Sequence, residues 1–225
     1  MRRASRTAPV WQGEVDHGLS PAFLSLMRSE PLREMTLLDV GCGSGRLALL
    51  LAPEAGRVVG LDLDEAALRD ARRLARERSL ANAKFFVVDA ERVEYARWRP
   101  AMVVAHLCMS DAIIERAGRA LAPGRCLAFV CFHRDQWKET GQVSRFAYNE
   151  DRMRSVLRAN GFVPELLEVE REVARFSTAE EGLAFVEPIR PQWEADGRWA
   201  KFMGHIRSGG RTLTRAHLIV KARKR

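Results

Sequence analysis

Cysteine is scarce in this sequence, and its four cysteines form no C-x-x-C pair. Cys42, Cys108, Cys126 and Cys131 therefore read as reduced thiols in a cytoplasm, with no disulfide framework and no metal site. Cys126 and Cys131 are an odd number of residues apart, so on one strand they face opposite sides. Long apolar runs are also missing. The longest, such as 126–132, are far too short to span a membrane. The start, Met1-Arg2-Arg3-Ala4-Ser5, is basic, but no apolar core of a signal peptide follows it. Internal repeats, low-complexity tracts and long linkers are absent. These gaps leave one compact domain over 1–225, with an N-terminal segment, 1–30, ahead of the core.

Acid is lacking at both ends, and this explains most of the charge. The formal net charge is +8, which by itself suggests a nucleic-acid partner. Arg2, Arg3 and Arg6 supply three of those charges, and Lys221, Arg223, Lys224 and Arg225 supply four. Subtracting those seven from +8 leaves a body near +1. No basic groove interleaved with aromatics stands out, and the arginine-rich stretch 64–78 has the apolar spacing of an amphipathic helix with a solvated charged face. The balance argues against nucleic acid as the partner and gives no reading of oligomeric state.

The most informative segment is Leu37-Leu38-Asp39-Val40-Gly41-Cys42-Gly43-Ser44-Gly45-Arg46-Leu47-Ala48. An apolar stretch ends in an acid, glycines follow at every second position, and a helix-forming run begins. A strand that turns sharply into a helix needs glycine where the backbone bends and where a ligand approaches closely. The dinucleotide fingerprint G-x-G-x-x-G would need its last glycine where Arg46 stands. Three further short apolar strands follow. They end at Asp62-Leu63-Asp64, at Asp89-Ala90 and at His106-Leu107-Cys108-Met109. Asp62 also suits a dehydrogenase, so it speaks for nucleoside binding in general. Asp64, before Glu65-Ala66-Ala67, suits a helix N-cap.

This constellation, over roughly 37–130, resembles the class I S-adenosylmethionine-dependent methyltransferases. The resemblance implies that Asp39, Gly41, Cys42, Gly43 and Gly45 form the cofactor turn. It implies that Asp62, with Leu63 beside it, takes the ribose hydroxyls, and that Asp89 and Ala90 take the adenine. His106 and Leu107 would lie beside the transferring methyl group. Amino-methylating enzymes of nucleobases often carry a proline-rich tetrapeptide such as N-P-P-Y at this place, and this chain has none. His106 is a candidate general base, since its free pKa lies near neutrality, or else a polar wall of the pocket. His133, at the end of the fifth strand, is the second candidate for substrate contact.

Alternating strands and helices predict a doubly wound, mostly parallel, Rossmann-like sheet. The resemblance makes it seven-stranded with the last strand antiparallel. A helix is expected over 111–122, stopped by Pro123-Gly124, and another over 149–160, capped by Gly161. The sixth strand falls within 162–176 and the last over 214–222. About 35 residues separate them, where the family has a short hairpin. Thr178-Ala179-Glu180-Glu181 fits a capping box, Pro188 and Pro191 break that helix, and 193–206 reads as a second one. The insertion 177–208 is thus expected as a helical cap or an oligomer contact, with Trp193, Trp199, Phe202 and Met203 in its core. Ser20-Pro21 reads as the N-cap and first turn of a helix through Arg28. Trp11, before it, either closes over the cofactor or packs on the core. The function expected is methyl transfer from S-adenosylmethionine to a small molecule at oxygen, nitrogen or carbon, leaving S-adenosylhomocysteine. The alternatives are an RNA methyltransferase that uses the basic ends and a non-catalytic S-adenosylmethionine-binding protein.

Overall fold

The computed structural model describes residues 19–225. Trp11 and the basic residues Arg2, Arg3 and Arg6 lie outside the described residues. Seven strands form one sheet: β1 (Thr36–Val40), β2 (Arg57–Asp62), β3 (Ala83–Val87), β4 (Met102–His106), β5 (Cys126–Phe132), β6 (Phe162–Arg175) and β7 (Thr212–Lys224). Their order across the sheet is β3-β2-β1-β4-β5-β7-β6. The first five run parallel, and β7 pairs antiparallel with both β5 and β6. The expected doubly wound sheet with an antiparallel last strand is therefore present.

Eight α-helices accompany the sheet among the described residues: α1 (Pro21–Arg28), α2 (Arg46–Leu51), α3 (Glu65–Glu77), α4 (Asp111–Ala120), α5 (Glu150–Ala159), α6 (Ala179–Val186), α7 (Arg190–Asp196) and α8 (Arg198–Arg207). The period-2 alternation of the strands splits the core into two halves. Leu37, Met102, Val104, Ala128, Val130 and Ile219 face α1, α2 and α3. Leu38, Val103, Ala105, Leu127, Phe129 and Val220 face α4 and α5. Each face removes apolar side chains from water at roughly 25 cal/mol per Å². None of the helices is long and apolar enough to cross a membrane.

Local chemistry sets most boundaries. Asp64 caps α3, its carboxylate accepting from Ala67 N–H at 3.1 Å. Gly161 follows α5 with φ +76°, a conformation that favours glycine. Ser20 precedes α1 as expected but does not cap it. Its hydroxyl donates instead to Glu170 Oε1 at 2.6 Å, tying α1 to β6. Pro164 lies in edge strand β6 at a register shift between Pro164 and Leu166, where its missing N–H costs no ladder bond.

Two expectations need correction. The second helix of the insertion, expected over 193–206, is two helices, α7 and α8, broken at Gly197 with φ +83°. Pro191 lies in the first turn of α7 rather than in a gap between helices. The C-terminal basic residues are also not a tail. Strand β7 runs through Lys224, and the side chain of Lys221 is only 7% exposed. Its Nζ lies 2.5 Å from Glu30 Oε1, and Arg223 donates to both Glu30 and Glu165. These charges clamp β7 to β6 and to the segment after α1.

Beyond the pairing of β7 with β5, which ends at Phe132↔His217, β6 and β7 continue as a two-stranded ribbon to Arg175↔Thr212. The ribbon carries α6, α7 and α8, whose own small core holds Phe176, Val186, Trp193, Phe202, Ile206 and Leu213. Trp193 and Phe202 are fully buried in the core of the insertion, while Trp199 and Met203 are partly buried. Trp137, just after β5, meets Trp193 edge-on at 5.1 Å between centroids and joins the inserted helices to the sheet.

Candidate active site

The carboxyl ends of β1 to β4 converge on one cavity of about 310 Å³, within the range of small-ligand sites. Six of the eleven expected cofactor residues line it: Gly41, Asp62, Leu63, Asp89, Ala90 and Leu107. Asp39, Cys42, Gly43, Gly45 and His106 are not in its wall. Val88, Glu91, Cys108, Met109, Ser110, Ile113, Arg145 and Phe146 complete it.

The turn after β1 explains its glycines. Gly41, Gly43 and Gly45 have φ of +69°, +52° and +79°, all left-handed. At Gly41 a Cβ would stand 2.2 Å from Cys108 Sγ, so the turn and the β4 end touch. At Gly43 a Cβ would meet no protein atom within 4 Å. Backbone at that position therefore faces open space, as a cradle for a ligand does. Asp39 is 2% exposed and accepts from Ala48 N–H at 3.1 Å, so it orders the turn into α2. Burial raises its carboxyl to about 7, against the lowering effect of that N–H.

Asp62 holds the turn from the other side. Its Oδ2 accepts from Gly43 N–H at 2.7 Å and its Oδ1 from Asp64 N–H at 2.9 Å. Each carboxylate oxygen keeps a second lone pair for a ligand hydroxyl. Asp89 accepts from Glu91 N–H at 2.9 Å and lies 3.3 Å from Arg92 Nε. Carboxylates at two strand ends, with Leu63, Val88, Ala90 and Ile113 between and around them, match a ligand with hydroxyls, a flat base and no phosphate. This set of acceptors thus fits an adenosyl cofactor.

A second polar group lies on the α1 side, where the α1-facing half of the core reaches the strand ends. By alternation His106, Phe132, His217 and Arg215 all face that side, and Glu170 and Glu172 oppose His217 and Arg215 on β6. His106 Nδ1 is 2.9 Å from Arg46 Nη2. A guanidinium only donates, so Nδ1 accepts and the ring proton sits on Nε2. Burial pushes the His106 pKa down to about 3, and Arg46 adds to the effect. Both features oppose proton abstraction by His106 and make it a neutral hydrogen-bond donor. His217 is 8% exposed, and burial lowers it to about 4. Sequence reasoning missed it, although a histidine among apolar residues of the last strand was a visible signal.

His133 has partners of its own. It is 6% exposed, its Nδ1 accepts from Asp135 N–H at 3.1 Å, and its Nε2 lies 3.3 Å from Glu150 Oε2. These partners fix the loop after β5, and the ring does not line the cavity. Nor does any residue of 177–208 line it. The loop residues Arg145 and Phe146 do so instead, and no periodic pattern in the sequence marked them. Among the described residues no group of His, Cys, Asp and Glu is placed to hold a metal ion.

A family model described as a methyltransferase domain matches residues 32–178. The chain is 29% identical over 129 residues to a ubiquinone biosynthesis O-methyltransferase of Hydrogenovibrio crunogenus, covering 53% of this chain and 52% of that one. It is 46% identical over 56 residues to tRNA (uracil-5-)-methyltransferase homolog A of Mus musculus, covering 25% of this chain but only 9% of the relative. The YcgJ protein of Bacillus subtilis superposes with a TM-score of 0.72 at 15% identity, over 91% of this chain and 98% of that one, a likeness of fold alone. The chain therefore spans about half of one curated relative and under a tenth of the other. With the domain match covering more than half of its length, the glycine turn and the strand order in agreement, the chain belongs to the class I S-adenosylmethionine-dependent methyltransferases.

Proposed function

We propose that this enzyme methylates a small-molecule acceptor at an oxygen, nitrogen or carbon nucleophile and releases S-adenosylhomocysteine. The observation that carries the reading is the group on the α1 side of the sheet at the ends of β4 and β5 and the facing part of β7: His106 with Arg46, His217, Phe132, and Ser20 bonded to Glu170. A compact acceptor held among these side chains would stand beside the end of β4. Bound at the glycine turn, S-adenosylmethionine would supply an electrophilic methyl carbon on a sulfonium. Asp62 would hold the ribose, Asp89 and Ala90 the adenine, and the Gly41–Gly45 backbone the amino-acid end. Asp39 would act through the turn that it orders.

The chain's remaining work is alignment and exclusion of water. His106 would contribute its Nε2–H as a donor to the acceptor rather than take a proton from it. The acceptor's nucleophile then either carries no proton to lose or loses it to solvent. Supporting a small acceptor over RNA, Lys221 and Arg223 are committed to Glu30 and Glu165, and Lys224 donates to Asn160 O at 2.9 Å. The partial likeness to tRNA and RNA methyltransferases keeps RNA as the second reading. We place the protein in the cytoplasm on its four free thiols.

The test offers the purified chain radiolabelled S-adenosylmethionine with a metabolite extract or with total RNA. Label in the low-mass fraction is the expected result. Label in RNA at moderate salt, with none in the metabolites, would overturn the small-molecule reading.

A further inference from the structure

We infer that Phe146, backed by Arg145, is a cofactor-binding residue that covers the nucleoside end of the cavity and slows cofactor release. The inference rests on the cofactor placement proposed above. Strand ends and α4 supply most of the cavity wall, and the loop between β5 and α5 supplies the rest through these two residues.

Three observations point to a ligand under that loop. First, Phe146 is 36% exposed and Leu63 is 67% exposed, yet both line this one cavity. An apolar flat group inside it would remove both from water at once. Second, the Arg145 guanidinium lies 4.3 Å from the centre of the Phe146 ring, and Arg145 has no ion-pair partner among the described residues. A cation over one face of the ring stiffens it and leaves the other face for a base. Third, the loop is tied to the cavity's own helix. Ala147 and Tyr148 are buried, Tyr148 N–H donates to Phe132 O at 2.9 Å, and its hydroxyl donates to Asp111 Oδ1 at 2.6 Å. Asp111 opens α4, next to Ser110 and two residues before Ile113, both in the cavity wall. Phe146 is thus held two residues from an anchored tyrosine rather than on a loose tip.

Calorimetry and stopped-flow displacement with S-adenosylhomocysteine test this without any acceptor. Phe146→Ala should weaken binding about tenfold, mainly through faster release, as expected for loss of one base–aromatic stack. Phe146→Trp should restore it, because a flat ring returns. The melting temperature of the ligand-free Phe146→Ala protein should stay close to that of the parent. Wild-type affinity in Phe146→Ala, while Asp62→Asn binds weakly, would overturn the cover and leave the cofactor site standing. Equal loss in Phe146→Ala and Phe146→Trp would overturn stacking as the cause. Unchanged binding in both Phe146→Ala and Asp62→Asn would remove the cofactor placement itself.

Discussion

Asp62→Asn separates two duties that one carboxylate performs. In the ligand-free chain both oxygens already accept backbone N–H groups, from Gly43 at 2.7 Å and Asp64 at 2.9 Å. The amide of asparagine replaces one acceptor by a donor, which then faces an N–H and cannot bond it. Leaving that N–H unsatisfied costs about 1–3 kcal/mol of stability. For a domain of this size each kcal/mol lowers the melting temperature by about 2–4 °C. The ribose loses one charge-assisted bond, worth about 1.5–3 kcal/mol, or on the order of tenfold to a hundredfold in affinity. Differential scanning calorimetry and titration with S-adenosylhomocysteine read the two effects independently. A lower melting temperature with unchanged affinity would make Asp62 a brace of the glycine turn and nothing more. A nicotinamide dinucleotide bound more tightly than S-adenosylhomocysteine by the parent chain would refute the placement of the adenosyl group altogether.

Gly41→Ala and Gly43→Ala should diverge: the first drives a methyl into Cys108 and costs on the order of 3 kcal/mol in chemical denaturation, the second costs about 1 kcal/mol of left-handed strain yet weakens S-adenosylhomocysteine binding. Hydrogen bonds and charge from Arg223, opposed by partial burial, and then Lys221, lower the Glu30 carboxyl from 4.5 to about 2. That stabilisation is fully present above pH 4.5 and lost as pH falls through about 2, so Glu30→Gln should flatten the acid limb of a melting-temperature profile. After screening by solvent the effect should be on the order of 2 kcal/mol, and an unchanged acid limb would contradict it. Because His106 titrates near pH 3, His106→Gln should leave the shape of the pH–rate profile between pH 5 and 8 unchanged, whereas loss of a limb near neutrality would restore it as a base.

The legible parts of this protein were those whose physics is local. A strand that ends in Asp39 and turns through left-handed Gly41, Gly43 and Gly45 declares itself within ten residues. So do Asp64 as a cap and Gly161 as a stop. Strand ends that line the cavity, such as Asp62, Asp89 and Leu107, inherit that legibility. What escaped depends on partners distant in sequence. Lys221 and Arg223 read as unbalanced charge at a basic end because Glu30 and Glu165, which neutralise them, lie 191 and 58 residues away. His133 and His106 look alike at two strand ends, yet one is consumed by Asp135 and Glu150 and the other faces Arg46. Phe146 lies in a loop without periodicity, so nothing but the fold reveals which cavity it closes. Gly197, inside the run expected as one helix, is the corner between α7 and α8.

The position of β7 has a consequence for how the chain is made. It is the seventh strand in sequence but the sixth in space, seated between β5 and β6. During synthesis the ribosome releases β5 and β6 before the strand that joins them exists. Until residues 212–224 emerge, β5 presents an open hydrogen-bonding edge and β6 has no neighbour in the sheet. Glu30 meanwhile waits, already translated, for cations that arrive at the far end of the chain. The nascent protein is therefore most exposed to edge-to-edge aggregation in the interval before β7 emerges. Ribosome-bound chains halted after β6 should be cleaved readily within β6 by a protease, while chains halted well past β7 should resist it.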